Sequence, residues 1–273
     1  MASEATPPPA RNCIISFPTK QILLLTLTRP KQFNCIDLAT SRDIQHLWDW
    51  FDQNPSLLVG IITGHGRAFC TGADLQEWNR LNESGQVSPM DAPGLAGLPR
   101  RRGRKPIIAA VNGICMGGGC EMVVNCDMVF AARKAVFALP EVKRGIAAVA
   151  GSLPRLTRII GKQRAVEMAL TGRNVSAEEL YNWGLVNRVV GDEEGDVKQA
   201  AIEAAKEICK NSPDGVLVSK EGINLGWEKS DVEDGSSILI ENWYGRLRAG
   251  GNFREGIKAF AEKRDPQWVP SKL

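Results

Sequence analysis

Histidine is scarce in this sequence, and its scarcity narrows the chemistry that the chain can perform. The 273 residues include two histidines, His46 and His65, and neither H-x-x-x-H nor H-E-x-x-H spacing occurs. A zinc site or a Ser-His-Asp triad is therefore not expected, and no metal is predicted. His65 stands between two glycines, which is typical of a surface loop rather than of a general base.

The sequence also lacks paired cysteines, long apolar runs and an excess of charge of either sign. Its seven cysteines are an odd set without any C-x-x-C spacing, which favours free thiols in a reducing compartment. The longest apolar runs, such as 22–25 and 107–111, are far shorter than a membrane span, so no membrane association is predicted. The formal net charge of +3 is too small to indicate a nucleic-acid partner.

What remains is an ordinary globular composition, with 43% hydrophobic and 24% charged residues. Residues 1–12, with three consecutive prolines, are predicted to form a disordered tail. Strand and helix patterns alternate over residues 13–195, which predicts an α/β core. Residues 196–265 are almost wholly helical in pattern, and residues 266–273 are predicted to be an extended tail. No internal repeat is visible.

A basic run stands at residues 100–105, Arg-Arg-Arg-Gly-Arg-Lys. Such a run is usually a solvated loop, and that is the interpretation favoured here. The alternative is a site for the phosphates of a ligand or of RNA. Because no aromatic residues interleave the basic ones, a nucleic-acid partner is not favoured.

The segment from Lys105 to Glu121 organises the chain. It begins with a buried strand, Ile107 to Val111, and continues through the glycines at 117–119 into a helix that opens with Glu121. Backbone N–H groups at the start of a helix suit a negatively charged oxygen, and glycine lets another molecule approach closely. The glutamate could serve as a base beside such a site. A P-loop is not favoured, because no Gly-Lys-Ser/Thr follows, and glycines that serve only packing remain an alternative.

Two further segments carry candidate chemistry. Residues 64–75 form a second strand–loop–helix junction, with the small residue Ala73 at the start of the helix. Glu141 follows the strand-like residues 135–139, twenty positions (141 − 121 = 20) after Glu121. The alternative for both glutamates is an ordinary surface position.

Together these motifs resemble the crotonase, or enoyl-CoA hydratase/isomerase, superfamily. The resemblance covers residues 29–264 and includes A-F-C-x-G-A-D at 68–74, K-P-x-I-A-A-V-N-G-x-x-x-G-G-G-C-E at 105–121 and L-P-E at 139–141. It continues through Leu170-Thr171-Gly172-Arg173 and Gly184-Leu185-Val186-Asn187. The family's fold is a spiral of ββα units with a C-terminal helical trimerisation region. A homotrimer or a hexamer of two trimers is therefore implied, with an acyl-CoA thioester as substrate and no separate cofactor.

The resemblance also implies roles for four residues. The backbone N–H groups of Ala73 and Gly118 match an oxyanion hole for the thioester oxygen. Glu121 matches the residue that activates water for attack at C3, and Glu141 matches the residue that delivers a proton to C2. Family isomerases generally need only the carboxylate at 141, so both together favour an enoyl-CoA hydratase. A double-bond isomerase and a non-catalytic RNA-binding member of the fold remain alternatives, and the acyl chain and the pathway stay open.

Substrate contacts are implied more weakly. The CoA-binding residues by resemblance are Lys31, Ala73, Asp74, Leu75, Gln76, Gly117 and Gly118. Phe260 and Lys263 lie where a C-terminal helix often reaches the CoA of a neighbouring subunit. One segment departs from the pattern: residues 146–152 replace a proline- and glycine-rich I-P-G-x-G-G. Val149 then falls where a glycine usually offers an N–H next to the water, so the placement of that water, the shape of the acyl pocket and the natural substrate stay open.

The last three residues, Ser271-Lys272-Leu273, match a peroxisomal address that an import receptor reads at a free C-terminus. Pro266 and Pro270 should end the last helix and keep this tail extended. A peroxisomal location is therefore predicted for a eukaryotic source.

Overall fold

The computed structural model describes residues 6–85, 93–229 and 231–273. In this part of the chain, ten strands form two sheets. The strands are β1 (Cys13–Thr19), β2 (Ile22–Leu27), β3 (Val59–Gly64), β4 (Ala68–Cys70), β5 (Ile107–Val111), β6 (Ile114–Met116), β7 (Met128–Ala132), β8 (Val136–Ala138), β9 (Val175–Ser176) and β10 (Arg188–Val190). The larger sheet has the order β1-β2-β3-β5-β7-β10 and the smaller one β4-β6-β8-β9.

Eleven α-helices are found in the same described residues. They are α1 (Leu38–Gln53), α2 (Leu75–Glu83), α3 (Gly118–Val124), α4 (Ser152–Ile160), α5 (Lys162–Thr171), α6 (Ala177–Trp183), α7 (Asp196–Cys209), α8 (Pro213–Glu228), α9 (Val232–Leu239), α10 (Gly245–Ala249) and α11 (Gly251–Glu262). A π-helical turn, Ile240–Tyr244, joins α9 to α10.

Three successive strand pairs alternate between the two sheets. The first members, β3, β5 and β7, are neighbours in the larger sheet, and the second members, β4, β6 and β8, are neighbours in the smaller one. α2 follows the first pair and α3 the second. This arrangement is the ββα spiral expected from the sequence, and it brings the chain back beside itself after each α-helix.

β5 illustrates why the central strands are continuous apolar runs. Ile108 and Ala110 pack into a cluster with α7, whereas Ile107, Ala109 and Val111 face the main core. Because side chains alternate along a strand, a strand that is covered on both faces needs apolar residues at every position. All five residues of β5 are accordingly buried.

The helical third of the chain begins inside the core rather than outside it. α7, which the sequence assigned to the C-terminal helical region 196–265, packs across the larger sheet. Its small residues Ala200, Ala201 and Ala205 are buried and allow the close approach. The appended region in the structure therefore starts at α8.

Helices α8 to α11 pack mainly on one another and leave large apolar side chains in solvent. α8 contacts α9, α10 and α11. Ile223 is 72% exposed, Ile240 62% and Phe260 88%. Single exposed apolar residues are normal, but here several lie on one helical region.

Both predicted tails make more contacts with the body than the sequence suggested. Residues 1–5 lie outside the described residues, but Arg11 forms an ion pair with Asp43 of α1 (2.7 Å) and Asn12 donates to Thr40 (2.8 Å). Residues 266–273 have no regular secondary structure.

The C-terminal tail is nevertheless held at several points. Trp268 Nε1 donates to the Lys210 carbonyl (2.7 Å), and the Val269 N–H donates to Asn252 Oδ1 (3.0 Å). Arg104 donates to the Leu273 carbonyl. The extended prolines therefore lay the tail along the body instead of releasing it.

The basic run is only partly a solvated loop, because two of its cations are bound within the molecule. Arg101 is paired with Asp52 (2.6 Å), and Lys105 Nζ donates to the Phe51 and Asn54 carbonyls at the end of α1. Burial lowers the pKa of Lys105 to about 8. Arg102 lies 3.6 Å from Glu228. Arg101 and Lys105 are therefore occupied within the molecule, whereas Arg100, Arg102 and Arg104 are exposed.

All seven cysteines are free thiols. Burial raises the pKa of Cys13, Cys70 and Cys126 to about 12 and that of Cys209 to about 11. They behave as small apolar groups in the core, as the sequence predicted. None of the helices among the described residues is both long and apolar enough to span a bilayer.

Candidate active site

The glycine turn between β6 and α3 places a backbone N–H group without a partner. The Gly117 N–H donates to the Ala138 carbonyl at 3.0 Å, which fixes the turn against β8. Gly118 is the first residue of α3, and its N–H has no acceptor among the described residues. Such a donor at a helix N-terminus suits an oxygen that gains negative charge.

The second turn runs through Ala73 at the start of α2. It is held to the loop before α1 by two bonds around Ile36, from the Ile36 N–H to the Gly72 carbonyl (2.9 Å) and from the Asp74 N–H to the Ile36 carbonyl (3.0 Å). Asp74 caps α2 by accepting from the N–H groups of Gln76 and Glu77. Within the described residues the Ala73 N–H has no acceptor.

The two turns touch through glycines. A methyl group added to Gly72 would lie 2.9 Å from the Gly118 nitrogen, and Gly72 has φ +93°. A methyl group on Gly118 would lie 3.5 Å from the Gly72 Cα and 2.8 Å from Leu95 Cδ2. Because side chains would collide here, only glycine allows the two turns to come together. The geometry thus brings the predicted oxyanion residues Ala73 and Gly118 to one place.

Glu121 lies in the first turn of α3 and is buried, with 6% of its surface exposed. Its Oε1 accepts from the Ser152 hydroxyl at 2.8 Å and from the Ala150 N–H at 3.0 Å. Burial raises the pKa of Glu121, while these donors act in the opposite direction. Donors to a carboxylate favour its ionised form.

Glu141 lies in a 3₁₀ turn, Pro140–Arg144, after β8, and it is as buried as Glu121. Its Oε1 is 3.4 Å from the position that a methyl group on Gly117 would take, which places the carboxyl group beside the glycine turn. Its buried Oε2 has no hydrogen-bond partner among the described residues. Burial, and secondarily the charge of Glu121, raises the pKa of Glu141 to about 7.

Two like charges that meet raise the pKa of at least one of the two groups. Here burial has the largest effect on both pKa values. On Glu141 the interaction with its own backbone N–H, which lowers the pKa, comes next, and the repulsion from Glu121 is smaller. The two carboxyl groups therefore differ: Glu121 has donors that stabilise its charge, whereas the buried Oε2 of Glu141 has no partner among the described residues. This difference is what acid–base chemistry with two groups requires.

The side chains of the predicted CoA-binding residues differ in exposure and in their contacts. Lys31 and Gln76 are exposed, and Leu75 is half exposed, at the outer side of the Ala73 turn. Asp74 is occupied by the α2 cap and by an ion pair with Arg29 (3.0 Å). Its carboxylate therefore holds the turn rather than standing free for a ligand.

Sequence reasoning missed four contributors to the site. Arg29 joins Asp74 to the Cys35 carbonyl (3.1 Å). Leu95 lies against Gly118. The Ser152 hydroxyl group and the Ala150 N–H are the donors to Glu121. Val149, which the sequence placed next to the water, is 58% exposed, and its N–H donates to the Ala147 carbonyl (2.9 Å). No local sequence signal identifies Ser152, because only the packing of α4 on α3 brings its hydroxyl group to Glu121.

Comparison with known proteins identifies the family of this chain. The family model described as enoyl-CoA hydratase/isomerase matches residues 18–271, so the chain belongs to that family. A mevalonyl-coenzyme A hydratase of Aspergillus fumigatus is 61% identical over 273 residues, covering all of both chains. The corresponding protein of Beauveria bassiana is 48% identical over 98% of each chain. A solved enoyl-CoA hydratase of Mycobacterium tuberculosis superposes with a TM-score of 0.87 at 34% identity, covering 95% of this chain and 99% of that one.

These findings confirm the predicted family and the crotonase fold with its helical C-terminal region. They also support an enzyme of the hydro-lyase class that acts on CoA thioesters, as the sequence predicted.

The raised pKa of Glu141 predicts a pH-dependent gain of stability in Glu141→Gln. A carboxyl group whose pKa is about 7 in the folded chain, above the ordinary 4.5, stabilises the fold below pH 4.5. That contribution is lost as the pH rises through 7. Removing the charge should therefore stabilise the protein at pH 8 by on the order of 1–2 kcal/mol, after allowance for solvent screening, and hardly at all at pH 5.

Thermal unfolding at both pH values measures this effect. Glu203→Gln, at an exposed position of α7, is the matched control and should shift neither melting temperature. A Glu141→Gln variant that is less stable than the wild type at pH 8 would contradict the assignment.

Proposed function

We propose that this chain catalyses the reversible addition of water to a 2-enoyl-CoA thioester, with mevalonyl-CoA as the hydrated substrate. The observation that carries the reaction is the pair of buried glutamates with unequal surroundings beside two unpartnered backbone N–H groups. The substrate is supported by the 61% identity, over the full length, to a protein named for mevalonyl-CoA. Mevalonyl-CoA is a 3-hydroxyacyl thioester with a methyl group on C3 and a hydroxyl group on C5.

The thioester oxygen binds between the Ala73 and Gly118 N–H groups. In dehydration, the ionised Glu141 takes the C2 proton, and the electron pair moves onto this oxygen. The two N–H donors stabilise the resulting enolate, and loss of one such donor typically costs about 10²–10³ in rate. When the carbonyl re-forms, the C2–C3 double bond forms and the C3–O bond breaks. Glu121 gives its proton to the leaving hydroxide, which becomes water.

The glutamate pair holds one proton throughout this cycle. Dehydration begins with the proton on Glu121 and ends with it on Glu141, and hydration runs in reverse. The reaction releases no net proton, so its equilibrium constant does not depend on pH, and kcat/KM must fall in parallel for both directions when the pair loses its proton. The raised pKa of Glu141, about 7, keeps a proton available near neutral pH.

We further propose a homotrimer, or a hexamer of two trimers, assembled through the C-terminal helices. The exposed apolar side chains of this region, among them Ile223, Ile240 and Phe260, support this assembly. Phe260, 88% exposed on α11, is suited to contact the CoA of a neighbouring subunit. Light scattering of the purified protein distinguishes these states from a monomer.

The location proposed is the peroxisome, with Ser271-Lys272-Leu273 read by an import receptor at a free C-terminus. Leu273 is half-buried and bonded to Arg104, and Ser271 is also partly covered. The tail must therefore leave the body before a receptor can enclose it. The few contacts that hold it are compatible with such release.

Glutamine variants separate hydration from isomerisation. If hydration is native, Glu121→Gln and Glu141→Gln should each lower turnover of mevalonyl-CoA by about 10²–10⁴, since glutamine keeps the shape but exchanges no proton. The double variant should be far from additive, because both groups serve one transition state.

Two further substrates are compared with mevalonyl-CoA. A 3-enoyl-CoA tests for isomerisation, and crotonyl-CoA, which has no branch, tests the choice of acyl chain. If isomerisation is native, Glu141→Gln abolishes conversion of the 3-enoyl ester while Glu121→Gln retains most of it. Water addition or loss that is undetectable in the wild type, or unaffected by Glu121→Gln, rules out the hydratase. Faster turnover of crotonyl-CoA than of mevalonyl-CoA rules out mevalonyl-CoA as the preferred substrate but leaves the hydratase reaction supported.

Gly118→Pro tests the oxyanion hole. Proline is tolerated at the first position of a helix, yet it removes the N–H that the enolate needs. Turnover should fall by at least about 10², more than binding of free CoA weakens. Lys162→Pro is the matched control, because Lys162 is the first residue of α5 and lies outside the site. Near-normal turnover in a Gly118→Pro protein with unchanged circular dichroism excludes Gly118 as a required donor.

Removal of residues 271–273 tests the location. We expect the truncated protein to keep its activity and to stay in the cytosol, whereas an amino-terminally labelled full chain enters peroxisomes. Arg104→Ala should leave import at least as efficient as in the wild type, because it only weakens attachment of the tail. Import of the truncated protein in cells without a full-length copy would exclude the tripeptide as the address.

A further inference from the structure

We propose that Ser152 is a positioning residue that occupies Oε1 of Glu121 and so makes Oε2 the oxygen that exchanges the proton with water. The proposal deepens the proposed function, because it assigns that exchange to one atom of Glu121. It rests on the contacts of two buried groups that no part of the mechanism above explains.

The first observation is that both donors reach the same oxygen. Oε1 of Glu121 accepts from the Ser152 hydroxyl at 2.8 Å and from the Ala150 N–H at 3.0 Å. Two donors fill the acceptor capacity of one carboxylate oxygen. A proton taken from water therefore goes to Oε2.

The second observation is that Ser152 has little freedom. Its side chain is completely buried. A hydroxyl group has one proton, and its other acceptor within reach, the Ala148 carbonyl, is 3.4 Å away. The shorter, charge-assisted bond to Glu121 is the stronger one while Glu121 is ionised. When Glu121 takes a proton, this bond weakens, and the hydroxyl group can turn to Ala148.

The helices that carry the two residues are also tied together. Arg155 of α4 donates from Nε to Asn125 Oδ1 at the end of α3 (2.7 Å) and from Nη1 to the Gly151 carbonyl (3.0 Å). Ser152 begins α4 and Glu121 lies in the first turn of α3. The distance between hydroxyl and carboxylate is thus set by the packing of two helices rather than by a loose loop.

Few other titratable groups face Glu121 from the elements that pack on α3. Within the described residues, the elements that pack on α3 carry Cys70 on β4, Cys115 on β6, and Arg155 and Arg158 on α4, whereas residues 95–97 carry none. Glu141, on the turn after β8, is the carboxyl group that repels Glu121. The guanidinium of Arg155 is already engaged by Asn125 and Gly151. Burial holds both thiols neutral, since it raises the pKa of each well above neutrality. Burial and the donors of Ser152 and Ala150 therefore decide the ionisation of Glu121.

The test compares Ser152→Ala with Ser152→Thr, which keeps the hydroxyl group. Difference infrared spectroscopy follows ionisation of the Glu121 carboxyl group, assigned through Glu121→Gln, independently of any activity. Loss of a hydrogen bond to a charged group should raise the Glu121 pKa in Ser152→Ala by about one pH unit or more, and Ser152→Thr should restore it. Thr157→Ala is the control, because Thr157 also lies on α4 but its hydroxyl group donates only to Leu153 (3.0 Å).

Kinetics then links this shift to one half of the reaction. Water addition to the enoyl-CoA should fall about tenfold or more in Ser152→Ala, and the acidic limb of kcat/KM should move to higher pH by the same amount as the infrared pKa. Exchange of the C2 proton of butyryl-CoA with deuterated water needs Glu141 and the oxyanion hole but not Glu121. It should stay within about threefold of the wild type.

The outcomes separate cleanly. A Glu121 pKa that is unchanged in Ser152→Ala overturns the proposal, as does an equal loss of water addition and proton exchange. If Ser152→Ala shifts the Glu121 pKa but the wild-type protein hydrates no ester, the proposed function is overturned. The assignment of the hydrogen bond between Ser152 and Glu121 is then still supported. If Ser152→Ala does not fold, Ser152→Cys, with a weaker donor of similar size, must move the Glu121 pKa in the same direction.

Discussion

The site depends on the close approach of two backbone turns that have no side chains between them. Gly72 and Gly118 lie so near that a single methyl group on Gly72 would come within 2.9 Å of the Gly118 nitrogen. Each turn is anchored separately, one to β8 by the Gly117 N–H and the other to the loop before α1 through Ile36. The fold thus holds two N–H donors rigidly, and fixed donors need no reorganisation when charge develops on a substrate oxygen.

Around this rigid centre, the two glutamates gain different properties from their neighbours alone. Both are buried, and burial makes the charge of either one costly. Ser152 and Ala150 offset that cost at Glu121, whereas Glu141 has a buried oxygen without a partner. One carboxyl group therefore keeps its charge more readily than the other. Two side chains of the same type can then take different roles, one as the acid and the other as the base, while they share a single proton.

The sequence predicted the features that depend on local patterns. The strand at 107–111 and the helix that carries Glu121 in its first turn follow from short-range periodicity and turn chemistry, and the structure contains both. The resemblance to the family supplied Glu121, Glu141, Ala73 and Gly118 as candidates. Their convergence required the spiral, which no local pattern contains.

The errors arose where tertiary contacts override local composition. The basic run at 100–105 reads as a solvated loop, but Arg101 and Lys105 find partners on α1, more than forty positions earlier in the chain. α7 has the pattern of any amphipathic helix, and only the sheet decides which side it covers. Ser152 has no motif at all. Its role is visible only because the α3–α4 packing brings its hydroxyl group to Glu121.

The buried thiols have a consequence for the chemical durability of the enzyme. Peroxide reacts with thiolates rather than with thiols, and only the ionised fraction is attacked. With pKa values of about 12, Cys13, Cys70 and Cys126 are ionised to only about one part in 10⁴ at pH 8. Such thiols are slow to form sulfenic acids even where hydrogen peroxide is abundant. The core can therefore contain cysteines without needing a reductant to preserve them.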